Sequence, residues 1–134
     1  MKRVLQSFSL ALLVSSSAFA FSDSPEKCPS VESLQAIGIS DAIDIDLGWV
    51  GLNWSNYYDT QDKWTFGIYV GQVKGKEVAI KKANRLVKSI KSSGGPTPDG
   101  YLWACEYQNR QGQPIAMAIT PPVNPGDMMR RLVR

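Results

Sequence analysis

Histidine is missing from all 134 residues. With it go the commonest general base near neutral pH and the commonest protein metal ligand. Only two cysteines occur, Cys28 and Cys105, too few for a thiolate metal cluster of the zinc-finger kind. Past position 20 no apolar run reaches the roughly 20 residues that a membrane-spanning helix needs. There is no glycine-rich phosphate loop, no metal-ligand spacing and no catalytic signature. A serine would have no histidine to activate it. These absences make an enzyme of the common hydrolytic or metal-dependent kinds improbable, and the expectation is a protein that does not catalyse.

What is present begins with an address. Met1-Lys2-Arg3 is a short basic start, an apolar stretch centred on Phe8 to Val14 follows, and Ala18-Phe19-Ala20 forms a small-x-small site. This three-part layout is that of a secretory signal. Cleavage is expected after Ala20, which leaves an exported chain beginning at Phe21, in the periplasm or outside the cell. Cys28 lies eight positions past Ala20, so a lipid anchor on that cysteine is not expected.

Two cysteines in an exported chain suggest a bridge, Cys28 to Cys105. Such a bridge closes a loop worth roughly 4 kcal/mol in the chain-entropy treatment. Charge is divided unevenly. Residues 21–62 hold eight acidic side chains against Lys27 alone, and residues 63–91 hold eight basic ones against Glu77 alone. The basic stretch could meet an anionic partner, or the two halves could simply attract one another. Nucleic acid is not the expected partner, because the aromatic residues do not interleave with the basic ones and the exported chain is close to neutral.

Residues 21–29 read as an exposed leader. Ser30 then precedes Val31–Ile37, and Gly38 follows, which brackets a short helix between an N-cap and a C-terminal glycine. Residues 47–54 read as a strand with Val50, Leu52 and Trp54 on one face. Residues 63–71 alternate as a second strand, with Trp64, Phe66, Ile68 and Val70 pointing one way. From Lys76 to Lys91 the period changes to that of a helix, with Ala79, Ala83, Leu86 and Val87 inward and Lys81, Arg85 and Lys88 outward. The stretch 92–100 is rich in glycine and proline and reads as a mobile loop. Residues 101–108 and 113–120 form a second hairpin, with Ile115, Met117 and Ile119 inward, and Pro121-Pro122 ends it. The Asp41–Asp46 stretch lacks the glycine and ligand spacing of a calcium loop and reads as a solvated strand edge. The predicted fold is one α+β domain over residues 30–122, ordered helix-strand-strand-helix-strand-strand. It would have a four-stranded antiparallel sheet with both helices on one face and a tail over 123–134.

Three short patterns resemble a family of small exported bacterial proteins of unknown function, some of them labelled hemin-binding. They are Cys28-Pro29-Ser30-Val31, Trp103-x-Cys105-x-Tyr107 and Ala118-Ile119-Thr120-Pro121-Pro122. The resemblance implies hemin as a ligand and haem as the one cofactor to consider. Without histidine, an axial ligand would have to be tyrosine, methionine or a free cysteine; with the cysteines expected to pair, Met117 expected in the core and Met128 and Met129 in the tail, Tyr57, Tyr58 and Tyr69 become the candidate ligands. Lys81, Arg85 and Lys88 would face the propionates. The competing expectation is a secreted inhibitor or host-directed factor that binds a protein partner through its charged faces.

Overall fold

The structure, a computed structural model, describes residues 23–92 and 94–132. The expected signal segment and its cleavage site at Ala20 lie outside them. Ten elements follow in order: α1 (Val31–Ile37), β1 (Asp41–Asp44), β2 (Trp49–Asn56), β3 (Trp64–Gly71), α2 (Lys76–Val87), β4 (Lys91–Ser92), β5 (Thr97–Asp99), β6 (Leu102–Gln108), β7 (Pro114–Thr120) and α3 (Pro125–Leu132).

The strands form one antiparallel sheet in the order β1-β2-β3-β7-β6-β4, with β5 also on β6. The predicted four-stranded sheet with two helices on one face is therefore incorrect. Seven strands and three short helices occur among the described residues, and the fold is mostly β. The reason is local. The Asp41–Asp44 stretch, read as a solvated strand edge but not counted among the four strands, pairs with Leu52 to Trp49 as a strand of its own. The helix predicted to run to Lys91 ends at Val87, and Lys91–Ser92 and, within the glycine- and proline-rich stretch, Thr97–Asp99 are short strands along β6, at Gln108 and Tyr107 and again from Ala104 to Leu102.

Alternation along the central strands gives the sheet two apolar faces. Trp64, Phe66, Ile68 and Val70 of β3 join Ala79, Ala83 and Val87 of α2 and Leu34 of α1 in one cluster. Val50 and Leu52 of β2, Met117 and Ile119 of β7 and Met128 of α3 form another on the opposite face. The helices are thus divided between the faces, and the expected tail carries a fully buried methionine. Buried Thr65 fixes the entry to α3. Its Oγ1 donates to the Trp54 carbonyl and accepts from the Val123 N–H.

Both ends of the N-terminal region are tied down. Ser30 Oγ accepts from the Ser33 N–H, and the Gly38 N–H donates to the Leu34 carbonyl, so the predicted caps form. Cys28 is bonded to Cys105, with 77 positions between them and Cα atoms 5.8 Å apart. Pro25 and Pro29 are buried, and the buried Tyr107 hydroxyl donates to the Pro29 carbonyl. The last residues of the expected leader are therefore part of the folded body.

The helix α2 lies close on the sheet because Gly51 is beneath it. A Cβ on Gly51 would come within 2.5 Å of the Ala83 Cβ and 3.1 Å of Ile39 Cγ2. Small residues on both sides permit this approach, and a larger one on either side would separate the layers.

Candidate functional site

The two flanks of α2 differ in what lies beside them. On one flank the sheet opens. Pairing of β3 with β7 runs from Thr65↔Ile119 to Ile68↔Ala116, although β3 continues to Gly71 beside β2. Pro114 starts β7 and has no N–H to offer a neighbour. The β6–β7 register also shifts between Tyr107↔Ala116 and Gln108↔Pro114, which leaves Ile115 as an extra residue. A bulge of this kind bends its strand and re-aims the side chain. Ile115 accordingly packs with the α2-side cluster, while Met117 and Ile119 go to the other face. The expectation that all three point the same way fails at this bulge.

The result is an open cleft of about 490 Å³ between the end of β3, the second half of α2 and the β6–β7 turn. Its walls are apolar at Val70, Leu86 and Ile115, and Tyr69 borders it where β3 loses its β7 partner. Among the described residues Lys82 and Arg110 are its two cations, and no carboxylate lines it. The turn is held by Asn109, whose Oδ1 accepts from the N–H groups of Gln111 and Gln113 at 3.0 and 2.9 Å. Gly112 completes it with φ +80°. Lys82 Nζ reaches over Gly71.

The other flank of α2 faces α1 and then solvent. Asn84 anchors it. Its Oδ1 accepts from the Ile39 N–H at 2.8 Å and its Nδ2 donates to the Ile39 and Ile80 carbonyls. Val78, Lys81, Arg85 and Lys88 border a shallow depression beside Asn84.

A third hollow, of about 600 Å³, lies between residues 23–27 and the β2–β3 turn, with Asp23, Glu26, Asp59 and Asp62 on its walls. Burial pushes Asp59 up, but hydrogen bonds from Ser30 and Lys27 outweigh it and leave the carboxyl below its ordinary value. No group of three or more potential metal ligands gathers among the described residues.

The six residues singled out for hemin do not converge. Tyr57 sits in the β2–β3 turn, half exposed, with Lys63 Nζ 5.4 Å from its ring centre. Tyr58 follows it with φ +54°. Its hydroxyl is buried without a hydrogen-bond partner among the described residues, and burial pushes its pKa well up, which disfavours the phenolate an iron ligand would need. Tyr69 lies at the far end of β3, in the cleft, with its hydroxyl donating to the Leu47 carbonyl at 2.6 Å. Lys81, Arg85 and Lys88 lie on the opposite flank of α2. Of the six, Tyr69 alone lines the cleft. The sequence reading missed Arg110 and Ile115 as neighbours of Tyr69 because the bulge and the parting of two strands, not any motif, bring them together.

No helix among the described residues is long and apolar enough to cross a membrane. The chain matches the family model of a domain of unknown function, DUF4949, over residues 27–131. No curated protein and no solved structure matches it. The chain belongs to the DUF4949 family, whose description names no ligand and no activity.

Proposed function

We propose that this DUF4949 chain is an exported, non-catalytic binding protein whose ligand is an anion with an apolar body, held in the cleft between α2 and the β6–β7 turn. The observation that carries the reading is the lining of that cleft. Val70, Leu86 and Ile115 offer apolar surface, Tyr69 stands at the rim, and Lys82 and Arg110 supply two positive charges with no carboxylate among the described lining residues. Ligand sites commonly combine an apolar wall with a few placed polar groups in this way. Two cations, one from α2 and one from the β6–β7 turn, beside an apolar wall suit an anionic molecule with an apolar body. The Cys28–Cys105 bridge supports export, since such bonds persist in oxidising compartments. The lack of histidine and the pairing of both cysteines support binding without catalysis.

Hemin is the first compound to test, because it is a dianion with a flat apolar body and because of the family resemblance. In this reading Lys82 and Arg110 take over the propionate role first given to Lys81, Arg85 and Lys88. Tyr69 becomes the candidate ligand, at the cost of its bond to Leu47. Hemin titrated into the oxidised protein should give a saturable change in the Soret region. Lys82→Gln with Arg110→Gln should weaken binding about tenfold or more, as expected for loss of charged hydrogen bonds. Tyr69→Phe should change the spectrum, and Tyr57→Phe should not. A parent without saturable change rules out hemin. If the double variant binds hemin as tightly as the parent, the cleft is not the site.

A further inference from the structure

The outer flank of α2 carries a second feature that the cleft does not use. Val78, Lys81, Arg85 and Lys88 follow one another at steps of three, four and three, which places them on one stripe of the helix. The buried residues of the same helix, Ala79, Ala83 and Val87, point to the sheet. Among the described residues none of these three cations lies within salt-bridge distance of a carboxylate. The ion pairs there are Lys27–Asp59, Lys76–Asp41, Arg130–Asp127 and Arg131–Asp99. Lys76 alone of the bases on α2 is neutralised in this way. The helix has one acid, Glu77, in its first turn.

The stripe has one apolar member, Val78, which is 47% exposed. Asn84 joins the end of α1 to this flank, since it binds the Ile39 backbone and its Oδ1 would lie 2.7 Å from a Cβ on Gly38. The depression beside Asn84 is shallow and open. The outer side of one straight helix is convex and has no floor for an extended peptide. A flat layer of negative charge with apolar material just beneath it fits better.

We infer that the Val78–Lys88 stripe of α2 docks this protein on an anionic lipid surface. Lys81, Arg85 and Lys88 meet the phosphate layer, and the exposed Val78 enters the boundary below it. The apolar side of α2 stays in the protein core, so the attachment is peripheral, reversible and sensitive to salt. The inference does not depend on the cleft. It uses the opposite flank of the helix and shares no residue with it.

The test is co-sedimentation with vesicles of phosphatidylcholine, with and without phosphatidylglycerol, using the protein as purified with its disulfide intact. The parent should bind the anionic vesicles at low salt, should not bind neutral ones, and should be released at about 0.5 M salt. The triple variant Lys81→Gln, Arg85→Gln and Lys88→Gln should bind about 100-fold more weakly, from the usual contribution of each basic residue near such a surface. Lys63→Gln with Lys74→Gln and Arg130→Gln removes as much charge elsewhere and should bind nearly as the parent does. Val78→Asn should weaken binding by a smaller factor at unchanged charge. A parent that ignores anionic vesicles overturns the inference. So does equal binding by the two triple variants, which would mean that total charge and not the stripe is read. Capture of an acidic polypeptide by a parent that leaves vesicles alone would place a protein on this flank instead. Hemin titration of the stripe variant should match the parent, so failure here and failure of the cleft reading remain distinguishable.

Discussion

Lys81 and Lys82 are neighbours in the chain and differ in nothing that composition can register, yet they belong to opposite flanks of α2. Lys82 hangs over the end of β3 and shares a walled cleft with Tyr69 and Arg110. Lys81 stands on an open convex stripe with Arg85 and Lys88. One flank can surround a small molecule, and the other can only lie against something larger. The difference comes from the neighbours. A parted pair of strands and a pinned turn border the first flank, and a seven-residue helix followed by solvent borders the second. A basic amphipathic helix therefore presents not one surface but two, and the scaffold decides the shape of each.

The comparison fails altogether if the scaffold under α2 is released. Replacing Cys28 and Cys105 with alanine together should have the largest effect, about 2–5 kcal/mol in chemical denaturation, because the bridge closes a loop of 77 positions. Stability of the double variant equal to the parent's would show that the bridge contributes nothing to the frame. Next is Gly51→Ala, whose new methyl would meet the Ala83 Cβ at 2.5 Å. Overpacking there should cost about 1–3 kcal/mol and lift α2 from the sheet, disturbing both flanks together. Calorimetry with no drop in Tm would contradict the close layer packing.

Asn84→Ala sharpens the comparison, since it should loosen the outer flank while leaving the cleft in place. It strips partners from the Ile39 N–H and carbonyl and should cost about 1–2 kcal/mol. Amide exchange should rise at Ile39, with binding in the cleft unchanged. Faster exchange across the β6–β7 turn instead would mean that the flanks are not separable.

The smallest expected effect is one of pH. Hydrogen bonds from Lys76 and Trp54 hold the Asp41 carboxyl down to about 2. A carboxylate whose folded pKa is depressed stabilises the native state above its unfolded pKa, and that contribution fades as pH falls towards the folded one. The contribution should thus be complete above about pH 4 and disappear between about pH 4 and pH 2. After allowance for solvent screening it should amount to about 1 kcal/mol. Asp41→Asn should flatten the acid limb of the stability curve by that amount. An unchanged limb would show that the Lys76–Asp41–Trp54 contact, which ties the start of α2 to the sheet edge, is not held in solution.

Much of the local order was legible. The Ser30 and Gly38 caps, the period-two run from Trp64 to Val70 and the period change at Lys76 are each decided by neighbours in sequence, and each appears where it was read. What was not legible is non-local. Two- and three-residue strands such as β4 and β5 have no periodicity to detect, and they exist because β6 offers an unpaired edge. The bulge at Ile115 leaves no mark in a run of alternating apolar residues, yet it moves one side chain to the other face. The tyrosines grouped by chemistry as ligands were separated by geometry, with Tyr58 at one end of β3 and Tyr69 at the other.

By itself the sequence determined the caps of α1, the identity of the four long strands, the stripe on α2, the division of charge and the pairing of the two cysteines. Each follows from short-range periodicity, from counting or from the chemistry of a compartment. Tertiary structure alone decided that the sheet has seven strands, that α3 covers the opposite face from α2, and that Tyr69, Lys82, Arg110 and Ile115 share a cleft. Those outcomes depend on where strands stop pairing and on which edge lies open. Such contacts join residues tens of positions apart, and no window along the chain contains them.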